Sequence, residues 1–188
     1  MKALFALLSI LALVSQLSLA IGKEDTSKKQ EAFTLAVLPD TQFYCDTRLK
    51  LSQKWGNGDL RHYFFEQTRW VRDNQKRLNI AFLVHEGDIV QADAPEEWAI
   101  AKEAMSILDG HVPYCLCLGN HDMGFQKSNN KYGGDIAVNR TTHFNKYFPR
   151  EKFAKTKEFG GTFDPKRHDN SWYPVSYTHL TLPTICSV

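Results

Sequence analysis

Phe33-Thr34-Leu35-Ala36-Val37-Leu38, followed at once by Pro39-Asp40-Thr41-Gln42, is the stretch on which the reading of this chain turns. Six residues without a charge, bounded by a proline and a polar triplet, read as a strand covered on both faces; a half-exposed strand would alternate apolar and polar positions. The same pattern recurs twice. Ile80 to His85 runs into Glu86-Gly87-Asp88, and Tyr114 to Leu118 runs into Gly119-Asn120-His121-Asp122. The intervals are helical in pattern. Asp59 caps a helix to about Leu78, with Leu60, Tyr63, Phe64, Trp70, Val71, Asn74 and Leu78 on one core-facing side. Pro95 opens a second helix carrying Trp98, Ala101, Met105 and Leu108, and Gly110 stops it. Strand, helix, strand, helix, strand predicts an α/β layered fold with parallel strands. In such a sheet the carboxyl ends of the strands share one edge, and ligands bind there.

That edge gathers a donor set. Asp40, Gln42, Asp88 and Asn120 offer oxygen ligands, and His121 stands beside them. Hard oxygen donors with a neighbouring imidazole suit two divalent cations, and hence phosphoryl transfer. Taken singly, each motif is ordinary: an aspartate in a turn bonds its own backbone, and Gly-Asp is a common dipeptide. Their joint position after successive strands carries the reading. His85 is expected to be a hydrogen-bonded core histidine and Glu86 to face solvent. His143 and His168 are expected on the surface or in loops.

The remaining segments bear on location and extent. Lys2 precedes an apolar stretch from Ala3 to Val14, and Ser18-Leu19-Ala20 suits a signal peptidase. Residues 1–20 therefore read as a secretory signal peptide, which predicts an extracellular or periplasmic protein with no transmembrane segment after cleavage. Residues 21–31 form a polar lead-in, and residues 32–174 the domain proper. Val175 to Thr184 resembles the one-frame translation of a transposase-type sequencing adapter. On that reading residues 175–188 are an artefact and native sequence stops near Tyr173 or Pro174. Without Cys186, the cysteines are Cys45, Cys115 and Cys117; the last two alternate along one strand, where a disulfide is sterically improbable. Phe43 to Gly58 reads as an irregular loop, the chain beyond Asp122 as loop-rich to Thr141, and Phe144 to Phe148 as a short helix. Asn139-Arg140-Thr141 is a glycosylation sequon. A net charge of +2 without a Lys/Arg stripe gives no sign of nucleic-acid binding.

With these motifs in place, the chain resembles the calcineurin-like metallophosphoesterases, whose pattern is Asp-x-His, Gly-Asp, Gly-Asn-His-Asp/Glu and two later histidine segments. The resemblance covers Phe33 to about Tyr173. It implies a four-layer α/β/β/α sandwich, of which only the N-terminal part is present, and a dinuclear metal centre. It further implies that Asp40 and Gln42 bind the first metal, Asp88 bridges both, and Asn120 binds the second. His121 is then the catalytic histidine and Asp122 orients its imidazole. The substrate is implied to be a small-molecule, lipid or nucleotide phosphoester. Gln42 replaces the usual histidine; its harder amide oxygen favours manganese, with magnesium, iron or zinc as the other candidates. No Gly-His-x-His segment follows, which truncation explains. Gln91 stands where the purple acid phosphatases carry a tyrosine, which speaks against that subgroup. The alternatives are a non-catalytic binding domain of the same fold and a fragment without function.

Overall fold

A computed structural model describes residues 32–47, 58–123, 125–126, 131–132, 141–177 and 180–186. The expected signal peptide, the polar lead-in, most of the Phe43–Gly58 loop and Asn139-Arg140 of the sequon lie outside the described residues.

Three parallel strands form the central sheet in the order β1 (Thr34–Leu38), β2 (Ile80–His85), β3 (Tyr114–Leu116). Leu38 pairs with His85 and His85 with Leu116, so all three strands end level at one edge. The ladder is carried one step further by Glu86 N–H to Leu38 O and Cys117 N–H to His85 O, both 3.0 Å. β2 and β3 are buried, as their apolar runs require. β1 departs from expectation: burial alternates along it, and Leu35 and Val37 are 45% and 50% exposed. One face is covered more fully than the other: Ala36 and Leu38 pack into the core, while Leu35 and Val37 stay about half exposed.

The crossover helices follow the sequence with local shifts. After α1 (Gln42–Cys45), α2 spans Arg61–Asn74. The Asp59 carboxylate accepts the Arg61 backbone N–H at 2.9 Å and so satisfies one of the helix's unpaired amino-terminal donors. Phe64, Thr68 and Val71 lie on the buried face. Tyr63 and Trp70 are half exposed, a correction to the expected aromatic stripe; they sit one position off the 64–68–71 ridge, where nothing among the described residues buries them further. Left-handed Asn79 (φ 48°) turns the chain into β2. α3 spans Pro95–Ser106, with proline in its first turn, and Trp98, Ala101, Met105 and Leu108 are fully buried.

Beyond β3 come a 3-10 turn (His121–Met123) and a short antiparallel pair, β4 (Phe125–Gln126) with β5 (Lys131–Tyr132). Next are α4 (Thr142–Tyr147) and α5 (Arg150–Phe153). A second sheet is antiparallel, in the order β6 (Gly161–Thr162), β7 (Ser171–Tyr177), β8 (Leu180–Cys186). The stretch read as adapter-derived thus pairs its backbone with β7 through Leu180–Cys186. Phe82 meets Tyr173 at a 5.5 Å ring separation, which joins β7 to the core beside β2. His168 is not a surface residue. It is buried, stacks on Phe153 at 3.9 Å, and lies 2.7 Å by Nε2 from the Tyr173 hydroxyl. The loop position was right and the exposure wrong, because an aromatic nest of Phe144, Phe153, Phe159 and Tyr173 encloses the ring. Cys45, Cys115 and Cys117 form no disulfide.

Candidate metal centre

The three polar loops are bonded to one another through Asp88, by its carbonyl and by its carboxylate. Thr41 N–H donates to Asp88 O at 3.2 Å, and His121 N–H donates to Asp88 Oδ1 at 3.0 Å. The glycines of the second and third loops permit this contact. A Cβ on Gly119 would fall on the Asp88 carboxylate and 2.5 Å from its backbone nitrogen. A Cβ on Gly87 would lie 2.8 Å from Gly119 N, and Gly87 has φ 109°, which side-chain-bearing residues rarely adopt. Asp88 is itself left-handed at φ 47°, a conformation aspartate tolerates better than most residues. The spacing of Gly-Asp and Gly-Asn therefore has a steric cause.

A buried chain of polar groups supports the first loop from below. His85 is fully buried as expected and accepts the Gly87 N–H at Nδ1, 3.2 Å away. The proton is therefore on Nε2, which donates to Thr41 Oγ1 at 3.0 Å. Thr41 in turn donates to Ile89 O at 3.0 Å. Burial lowers the His85 pKa from 6.5 to about 3, so the ring stays neutral.

Asp122 does a different job from the one expected of it. Its carboxylate accepts Val90 N–H and Gly119 N–H, each at 2.9 Å, which ties the second loop to the third. Burial pushes its pKa up to about 7, against the backbone donors Gly119, Val90 and Ile89, which favour the charged form; the charge of Asp88 adds to the rise. The imidazole Nδ1 of His121 lies 2.9 Å from the Gln91 carbonyl oxygen, which helps to orient the ring. Sequence patterns do not reveal a backbone carbonyl as a partner, and they likewise missed Thr41.

The candidate ligands differ in exposure. Asp40 and Asn120 are exposed, Asp88 is half-buried, and Gln42 is 9% exposed. Gln42 Oε1 is buried and has no hydrogen-bond partner among the described residues. A buried amide oxygen without a donor costs roughly 1–3 kcal/mol, and a cation would satisfy it. This fits one hard divalent ion, whose charge the Asp40 and Asp88 carboxylates would balance. Among the described residues no group of three or more His, Cys, Asp or Glu could hold a metal, so a second ion would draw further ligands from elsewhere.

Residues 33–181 match the calcineurin-like phosphoesterase family. The chain belongs to that family. The family generally binds two divalent metals, and its members act on phosphoester bonds. The chain is also similar to the uncharacterized protein YvnB of Bacillus subtilis strain 168, with 33% identity over 149 residues. The match covers 78% of this chain but 10% of that protein, so the chain spans about a tenth of that relative's length. In this chain the parallel sheet with level strand ends presents the three motif loops at one edge. Among the described residues no helix is long and apolar enough to cross a membrane.

Proposed function

We propose that this chain hydrolyses small-molecule phosphoesters, monoester or diester, at the carboxyl edge of β1, β2 and β3, using divalent metal ions. The observation that supports this reading is the bonding of Asp88 to Thr41 and to His121, which joins the three motif loops at one sheet edge. Asp40, Gln42, Asp88 and Asn120 would hold the metal ions. When bound, divalent cations polarise the phosphoryl oxygens and lower the pKa of a bound water toward neutrality.

His121 then does the proton work. With Nδ1 directed at the Gln91 carbonyl, the ring offers Nε2 to substrate; in its protonated form it donates there to the leaving oxygen. Asp122 keeps the Gly119 and Val90 backbone fixed while this happens. The amide oxygen of Gln42 is the basis for preferring manganese over zinc. Secretion is part of the proposal and rests on the signal-like residues 1–20.

The test is metal-stimulated hydrolysis of an aryl phosphate and a bis-aryl phosphodiester by the full chain. Activity is expected with manganese and lost in Asp88→Ala and His121→Ala. Hydrolysis that survives both substitutions, or that responds to zinc and not manganese, would sink the corresponding claim. A second reading, a non-catalytic binding domain, is favoured by the shortage of clustered charged ligands among the described residues. It predicts manganese binding without turnover of either substrate.

A further inference from the structure

The chain leaves β2 through residues 87–93, a segment with left-handed backbone at both ends: Gly87 and Asp88 at one, Asp93 (φ 53°) at the other. Such a conformation at a non-glycine residue persists only where its surroundings impose it. At Asp88 the surroundings are the other motif loops. At Asp93 they are two helices. Trp98 of α3 donates from Nε1 to Asp93 Oδ1 at 2.7 Å. His143 of α4 brings Nδ1 to 2.8 Å from Asp93 O and 3.2 Å from Asp93 Oδ1. Two oxygen acceptors facing one ring nitrogen require that nitrogen to carry the proton. Two residues before Asp93, the Gln91 carbonyl faces Nδ1 of His121 in the same way. One short loop therefore holds two histidines by carbonyls two residues apart. His143 is also not a free surface residue: its ring is partly buried against this loop.

We propose that His143 is a positioning residue for His121. By holding Asp93 in its left-handed conformation, His143 sets where the Gln91 carbonyl lies, and thereby which nitrogen of His121 carries the proton and where its ring points. This rests on the reading of His121 as the group that meets substrate, and its test separates the two ideas.

The full chain is compared with His143→Asn, His143→Phe and His143→Gln. An asparagine amide places an N–H donor where Nδ1 stands, whereas phenylalanine has none and glutamine places its amide near the position of Nε2. Nitrogen-15 NMR of His121 needs neither metal nor substrate. It is expected to show one Nδ1–H tautomer in the unmodified chain and in His143→Asn, and a mixture of tautomers in His143→Phe. In manganese-dependent hydrolysis of an aryl phosphodiester, His143→Phe is expected to lower kcat at least about tenfold with KM little changed, as loss of an outer-shell partner does, and His143→Asn to restore it. An unchanged His121 tautomer in His143→Phe overturns the proposal. So does His143→Asn being as damaging as His143→Phe, since that would make Nε2 of His143 the important atom. If His143→Phe does not fold, His143→Gln makes the same comparison. If the unmodified chain hydrolyses nothing, the phosphoesterase reading fails while the tautomer comparison still decides this one.

Discussion

Asp88 and His121 lie in loops that follow different strands, yet the backbone N–H of His121 rests on Asp88 Oδ1 at 3.0 Å. The carboxylate expected to bind metal is thus also the acceptor that fixes the third loop. Asp88→Asn separates these roles, because asparagine tolerates the left-handed backbone and keeps an oxygen for the His121 N–H. The fold is expected to melt within about 1 kcal/mol of the unmodified chain. Manganese affinity, measured by calorimetric titration, is expected to fall at least about tenfold with the loss of one of two balancing charges. Unaltered affinity would place the cation away from Asp88.

Gly119→Ala tests the close approach of the two loops. Its Cβ would overlap Asp88 backbone and carboxylate, so the loops must separate. The expected cost is roughly 1–3 kcal/mol in chemical unfolding, with weaker metal binding besides. Gly58→Ala is the control: a Cβ there meets nothing within 4 Å, and little change is expected. Equal effects at both positions would show that the loop contact is not what the glycine serves.

The positions of these glycines and aspartates were legible in the sequence because each follows an apolar run long enough to be a buried strand, and level strand ends place the loops together. The buried face of α3 was legible for the same reason: one helical period accounts for Trp98, Ala101, Met105 and Leu108. The exposed face of β1 was not. Apolar residues on both faces of Phe33–Leu38 state what the strand would bury, not what is there to cover it. Nor was the burial of His168, which depends on aromatics from α4, α5, β7 and the loop before β6 meeting in space. Within the site, side-chain types suggested Asp40, Gln42, Asp88 and Asn120 as candidate donors. The groups that orient His121 are a carbonyl at Gln91 and, behind it, Asp93, and no residue pattern encodes a carbonyl.

Thr41 is expected to matter although it touches no reacting atom. Thr41→Val keeps the shape but leaves His85 Nε2–H and Ile89 O, both buried, without their partner. Each unsatisfied buried group costs roughly 1–3 kcal/mol, so a loss of several kcal/mol in thermal or urea unfolding is expected. Thr41→Ser keeps the hydroxyl and is expected to lose far less. If valine and serine behave alike, the hydroxyl chain contributes little.

Acid sensitivity follows from the two buried imidazoles. His85 has a folded pKa of about 3 and His168 of about 4, in both cases lowered from 6.5 chiefly by burial. The unfolded chain therefore binds protons that the folded chain refuses. The stability these rings contribute is fully present above pH 6.5 and is lost as pH falls from 6.5 toward 4 for His168 and toward 3 for His85. Asp122 works in the opposite sense: its raised folded pKa of about 7 favours the folded state as pH falls through 7 toward 3.8. The bare pH profile is thus a sum of opposing slopes, and the informative quantity is a difference between proteins. His168→Gln removes one titrating ring while leaving a polar side chain near the Tyr173 hydroxyl and the Phe148 carbonyl. Denaturation of both proteins at steps from pH 7 to 4 is expected to show His168→Gln less stable at pH 7 and closing that gap as the pH drops. The gap closes because the substituted chain no longer loses the His168 contribution, about 1.4 kcal/mol for each unit of pKa shift. A gap that stays constant across this range would mean that His168 titrates alike in the folded and unfolded chains, and that its aromatic nest does not keep it neutral.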